Sequence, residues 1–119
     1  MFRESIQKMI DRLDPPGGAT GILMGFDGIA VDSYTRPGAL DVQTMGMELA
    51  HVVSQIRRST SGARFGALGE VQLQTDKLAV LIRLVSNDYF LILGLTPEGN
   101  VGKARYLLRA LAPEIRASL

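Results

Sequence analysis

Residues 21–34, GILMGFDGIAVDSY, decide the fold of this chain. Two apolar runs meet there at Asp27-Gly28, the dipeptide that most readily takes the positive backbone dihedrals of a tight hairpin turn. The stretch therefore predicts a β-hairpin near the start of the chain.

Helical patterns flank this hairpin. The preceding segment carries apolar residues at spacings of three and four, and the proline- and glycine-rich residues 14–18 end that pattern. After a second turn at 35–38, Asp41 is suited to cap a long middle helix over residues 42–58, which residues 59–62 then end. The predicted inward stripes are Phe2, Ile6, Met9, Ile10 and Leu13 in the first helix, and Val42, Met45, Leu49, Val52, Val53 and Ile56 in the middle helix.

Three strands are predicted next. Residues 68–74 alternate apolar with polar side chains, as a partly exposed strand does, whereas residues 78–85 and 89–95 are almost continuously apolar. The short connection 86–88 permits only an antiparallel hairpin, so burial of both its faces requires helices on both sides of the sheet.

A last helix over residues 102–119, capped by Thr96 or Asn100, completes the pattern. The fold class is α/β (α+β): the order α-β-β-α-β-β-β-α, with a five-stranded antiparallel sheet and helices on both faces. Residues 1–119 are expected to form a single domain, since domains commonly have about 100 to 150 residues.

The composition argues against several classes of function. The formal charge of +1 argues against a nucleic-acid partner, because phosphate neutralisation calls for a strongly basic surface. No apolar run reaches the roughly 18 residues that cross a bilayer, and residues 1–5 do not form a signal-peptide core. The absence of cysteine excludes disulfides and thiolate metal sites. We therefore expect a cytoplasmic protein without direct membrane insertion.

No motif predicts catalysis, a cofactor or a metal. Gly102-Lys103 opens a helix as a phosphate-binding loop does, but Pro97 and Ala104 occupy positions where that motif needs glycine and a hydroxyl. His51 is the only histidine and has no companions at metal-ligand spacing. Asp27 and Asp32 flank the hairpin without a partner for acid–base chemistry.

Two further features admit alternative interpretations. Arg57, Arg58 and Arg64 surround the end of the middle helix, where they either offset the negative helix end or insert into a nucleotide site of a partner. Met47, at the edge of the apolar stripe, is either core filler or a flexible apolar contact for a partner.

In this element order, the chain resembles the roadblock/dynein light chain family. The resemblance rests on residues 25–29 with Asp32 and Ser33, on the glycine-bounded strand at 68–73, and on residues 100–105 at the last helix, and it spans residues 2–118. Within the family, the chain looks like the bacterial single-domain type, similar to mutual gliding motility protein B, which acts on a Ras-like GTPase.

The resemblance implies a homodimer formed through the middle helix and the strand after it. Two middle helices would then lie side by side as a platform for a small Ras-like GTPase, to which the protein adds no catalytic chemistry. Helical phase and exposure favour these residues for partner or dimer contact: Gln43, Met47, Ala50, His51, Ser54, Gln55 and Arg58 on the helix, and Glu70, Gln72 and Gln74 on the strand.

Two other functions fit the same sequence features. A scaffold that only assembles proteins, with no effect on GTP turnover, has the same element order and the same exposed residues. A small-ligand sensor or enzyme on a similar sandwich requires a pocket with converging polar groups, which the sequence does not show.

Overall fold

The computed structural model describes residues 1–13, 19–39, 43–62 and 64–119. The predicted element order and fold class are confirmed. The elements are α1 (Arg3–Asp11), β1 (Ala19–Gly25), β2 (Ala30–Thr35), α2 (Gln43–Gly62), β3 (Glu70–Gln74), β4 (Ala79–Leu84), β5 (Tyr89–Leu95) and α3 (Val101–Ala117).

The five strands form one antiparallel sheet in the order β2-β1-β5-β4-β3. β5 returns to pair with β1 along its whole length, from Ala19 opposite Leu95 to Gly25 opposite Tyr89. All seven residues of β1 are buried. The two edges of the sheet are therefore β2 and β3, with the most apolar strands at its centre.

The sheet is covered on both faces. α1 and α3 pack on one face, where the apolar stripe predicted for the first helix is buried with α3 residues such as Leu108 and Ile115. α2 packs alone on the other face, over Ile22, Val80 and Ile92. A glycine at position 46 lets α2 approach β1 closely, because a Cβ there would overlap the end of the Met24 side chain.

The first hairpin forms where residues 21–34 predict it, but its turn differs from the prediction. Only Gly28 has a positive φ, at 87°, and its amide donates to the carbonyl of Gly25 at 2.9 Å. Asp27 does not take a positive φ; its Oδ1 accepts from the amide of Ile29 at 3.0 Å. The reason is steric, since glycine alone adopts this conformation without a Cβ clash.

The middle helix is longer at its C-terminal end than predicted. Residues 59–62 continue α2 and do not end it, and the hydroxyls of Ser59 and Thr60 are accommodated there by donating to the carbonyls of Gln55 and Arg57 within the same helix. The predicted stop at 14–18, the Asp41 cap and the stripe residue Val42 lie outside the described residues.

The remaining boundaries of β3, β4 and α3 shift by one or two residues, with β4 at Ala79–Leu84 in place of 78–85. β3 begins at Glu70, two residues later than predicted, and α3 occupies 101–117. Asn100 is the cap of α3, since its Oδ1 accepts from the amide of Lys103 at 3.0 Å. The Thr96 hydroxyl is buried and has no hydrogen-bond partner among the described residues.

Candidate partner-binding surface

The outward side of α2 exposes most of the side chains predicted for contact. Met47 is 69% exposed. His51, Gln55 and Arg58 are also exposed, and Ser54 is half-buried. The Gln55 amide and the His51 ring form a hydrogen bond of 3.3 Å. Gln43 opens the helix, and its side chain lies outside the described part.

The side of α2 that faces the sheet differs from the predicted side by a fraction of a helical turn. Ala50 was expected on the surface but is only 2% exposed, between the helix and the sheet, whereas Val52 was expected inside and is 46% exposed. The inward face runs through positions 46, 49, 50 and 53. It shares 49 and 53 with the predicted stripe but is rotated from it by part of a turn about the helix axis. Small residues at 46 and 50 let the helix lie close to the strands, so larger neighbours turn outward.

The exposed apolar side chains of α2 lie on two different flanks. Met47 contacts the β1–β2 turn at Gly28, and Ile29, the next residue, is 65% exposed. Val52 follows Met47 by five residues, about 140° around the helix. Met47 therefore lies on the flank beside the first hairpin, and Val52 lies on the opposite flank of α2.

The structure separates the candidate residues of β3 from those of α2. Gln72 and Glu70 lie opposite Leu81 and Arg83 on the sheet face that α1 and α3 cover, and Gln74 follows the same alternation. Glu70 forms ion pairs there with Arg105, at 2.5 Å, and with Arg83, at 3.7 Å.

The strand residues on the α2 face are Val71 and Leu73, which sequence reasoning did not select. Leu73 is 41% exposed at the unpaired edge of the sheet. The alternation of the strand already indicated these two residues. An apolar side chain on the helix-facing side of an edge strand must be covered by another element or another protein.

The Arg57 side chain links the β1–β2 turn to the β4–β5 turn. Neither interpretation of this arginine from the sequence included that role. Its guanidinium carbon lies 3.9 Å from the ring centre of Phe26, and its Nη1 donates to the carbonyl of Asn87 at 2.9 Å. Phe26 in turn packs on Phe90, with 4.9 Å between ring centres. No local pattern could reveal this, since the partners lie about thirty residues away on either side.

Asp32 caps the start of α1 from a neighbouring strand. Its Oδ2 accepts from the amides of Phe2 and Arg3 at 3.1 and 2.9 Å and lies 3.4 Å from the N-terminal amine of Met1. Burial by itself would raise the pKa of Asp32, but the hydrogen bonds from the Ser33 and Arg3 amides and the positive N-terminus outweigh it, so the pKa lies below its usual value. This residue is structural.

Two kinds of site are absent from the described ranges. These residues contain no group of three or more histidine or acidic side chains that could hold a metal ion. Their helices also include none long and apolar enough to cross a membrane.

Comparisons with known proteins give the family. A scan against family models returns no match, and a search of curated proteins returns none. Among solved structures, MglC from Myxococcus xanthus is 37% identical over 99% of this chain and 98% of its own, with a TM-score of 0.71. A Roadblock/LC7 domain from Streptomyces avermitilis matches at 15% identity over 95% and 92%, with a TM-score of 0.80.

The chain belongs to the roadblock/LC7 family. Two structures of MglB, one from Thermus thermophilus and one described as a tetrameric arrangement, share its fold with TM-scores of 0.83. They are 10% and 11% identical, and each match covers 96% of this chain and 84% of the other. The resemblance drawn from the hairpin, the edge strand and the last helix is thus confirmed, and α2 and β3 are the middle helix and edge strand of a roadblock fold.

Proposed function

We propose that this protein is a homodimeric regulator or adaptor that binds a small Ras-like GTPase in the cytoplasm and modulates its nucleotide state or localisation. It acts through binding and contributes no catalytic residues. The observation that supports this proposal is that α2 exposes an apolar side chain on each of two flanks, Met47 beside the first hairpin and Val52 opposite it, while the edge strand β3 is unpaired.

The β3 side fits a second copy of the chain. An unpaired edge strand leaves backbone donors and acceptors available, and an antiparallel copy of β3 would continue the sheet. Leu73 and Val52 would then be covered by the partner's equivalents near the two-fold axis. Stable dimers bury on the order of 1,600 Å² in total, so the interface would have to extend from β3 onto α2, where Val52 is exposed.

The hairpin side then remains free for the GTPase. Met47 and Ile29 offer exposed apolar side chains there, and the exposed polar side chains of His51, Gln55 and Arg58 follow Met47 along the helix. Apolar centres with polar rims are typical of transient protein interfaces. Binding to one conformation of the GTPase switch segments would shift its nucleotide state without chemistry from this chain.

The test is capture of a GTPase by the immobilised protein from lysate loaded with GDP or with a non-hydrolysable GTP analogue. We expect a nucleotide-dependent GTPase, which is then purified for measurements of GTP hydrolysis and nucleotide release with and without this protein. A change in either rate supports the regulator. Binding with unchanged rates supports the scaffold, and no GTPase in either lysate contradicts the proposal.

Met47→Glu tests the location of this surface. Because Met47 is exposed, the substitution should change the free energy of unfolding by less than about 0.5 kcal/mol and leave the dimer intact, but weaken GTPase binding about tenfold or more. Glu48→Gln, one position away on the exposed side, is the matched control. Equal binding by wild type and Met47→Glu would remove this flank from the interface.

A further inference from the structure

A cleft lies at the end of the molecule where α2, the β4–β5 turn and the end of α3 meet. It has a volume of about 280 Å³ and a floor of apolar residues that includes Leu84 and Val85. Its rim adjoins a shallower depression that shares several of its residues. We call the two together the arginine cleft, defined by Arg57, Arg58, Ser61, Ser86, Asn87 and Arg116.

The arginine cleft concentrates positive charge. Three of the thirteen basic side chains line it although the whole chain carries a formal charge of only +1. None of the described side chains that line it is acidic. Within the described ranges, neither Arg58 nor Arg116 lies within 4.0 Å of a carboxylate oxygen, in contrast to Arg83 and Arg105.

Part of the arginine cleft is already ordered. The stacking on Phe26 and the hydrogen bond to the Asn87 carbonyl fix the Arg57 guanidinium, which uses one of its five N–H donors there. Two serines also line the cleft, Ser61 from α2 and Ser86 from the β4–β5 turn, where the Ser86 hydroxyl accepts from the amide of Asp88 at 3.2 Å and keeps its own hydrogen to donate. A ligand would therefore meet a prepositioned cation, which lowers the entropy cost of binding.

We propose that the arginine cleft binds a phosphomonoester dianion, either as free phosphate or as a phosphorylated side chain of a partner protein. A phosphomonoester carries a charge of about −1.5 to −2 at pH 7 and three acceptor oxygens. Three guanidinium groups and two serine hydroxyls can supply the charge and the hydrogen-bond donors for such a group, whereas one carboxylate is satisfied by a single bidentate arginine. Arg58 also belongs to the outward side of α2, so a phosphorylated segment of a bound partner can reach the cleft.

The test is a titration of the ¹⁵N-labelled full chain with inorganic phosphate at constant ionic strength, followed by amide chemical shifts. We expect saturable shifts in the millimolar range at residues 57–61, 84–88 and 115–117. A second titration uses a capped Gly-phosphoserine-Gly peptide and its unphosphorylated form. Binding of phosphate alone assigns a free-ion site, and tighter binding of the phosphopeptide assigns a phosphorylated partner.

Arg116→Gln should weaken phosphate binding about tenfold, because it removes a charge-assisted hydrogen bond. Arg109→Gln is the matched control, since it removes the same charge two turns earlier on α3. Both side chains are exposed, so thermal unfolding checks that each variant folds.

Three results would overturn the site. One is the absence of shifts, and a second is shifts that spread over all basic residues without saturation. The third is an equal loss for the two variants, which would mean that Arg116 contributes only a nonspecific attraction between its charge and the phosphate.

Discussion

The two faces of the sheet are covered in different ways. α1 and α3 close one face with a continuous apolar layer in which Ile6, Ile10 and Leu108 are almost fully buried. α2 covers the other face alone and leaves Met47 and Val52 exposed on its flanks. Since both faces of the central strands are equally apolar, the difference lies in the helices and not in the sheet.

This difference indicates separate roles. Two packed helices bury enough apolar surface to stabilise the monomer, whereas a single helix beside a free edge strand leaves surface that another protein can bury. We therefore expect the α1/α3 face to contribute chiefly to folding, and the exposed flanks of α2 to contribute to the proposed assembly. Substitutions on the two faces should affect different measurements.

The largest effect is expected on the closed face. Ile10→Ala should lower the free energy of unfolding by about 2 to 5 kcal/mol, because it leaves a cavity between α1 and β1. Val52→Ala, on the exposed flank of α2, is the matched truncation. It should change the free energy of unfolding of the monomer by less than about 0.5 kcal/mol. Urea unfolding at low protein concentration measures both. Similar losses for the two variants would mean that the faces do not differ in this way.

A smaller effect, on assembly, is expected at the open edge. Leu73→Glu should weaken self-association about tenfold or more, because it places two like charges near the two-fold axis of a β3–β3 dimer. Gln74→Glu adds the same charge on the opposite face of the strand and serves as the control. Equilibrium sedimentation at tens of micromolar measures both. A monomeric wild-type protein at that concentration would contradict the dimer itself.

The smallest effect concerns the cap of α1. Asp32→Ala should cost about 1 kcal/mol at pH 7, as loss of a helix N-cap does. The folded pKa of Asp32 is lowered, so its contribution is present above the unfolded value of about 3.9 and disappears as the pH falls through the folded pKa. The difference between the unfolding free energies of the two proteins should therefore shrink as the pH falls below the unfolded value and through the lowered folded pKa.

Asp32→Asn separates the charge from the hydrogen bonds in this cap. Its amide oxygen still accepts from the Phe2 and Arg3 amides, so it should retain part of the stability without the pH dependence. A difference between wild type and Asp32→Ala that stays constant from pH 7 to pH 2.5 would show that the carboxylate charge contributes nothing.

Local patterns predicted the elements well. The glycine at 28, the alternation in β3 and the continuous apolar runs of β4 and β5 depend on a few neighbouring residues, and each appeared in the structure. The candidate site was predicted less well. Most of the chosen α2 residues are exposed, but Ala50 is buried, and the strand residues chosen lie on the wrong face for a surface shared with α2.

The sequence by itself determined the order of helices and strands and the need for helices on both faces of the sheet. Those features follow from side-chain periodicity and turn chemistry, which act over a few residues. Only the tertiary structure decided the pairing of β1 with β5, the rotation of α2 that exchanges Ala50 for Val52, and the contacts of Asp32 and Arg57. These depend on how closely distant segments approach each other, and a small rotation of a helix about its axis changes its exposed residues while its local pattern stays the same.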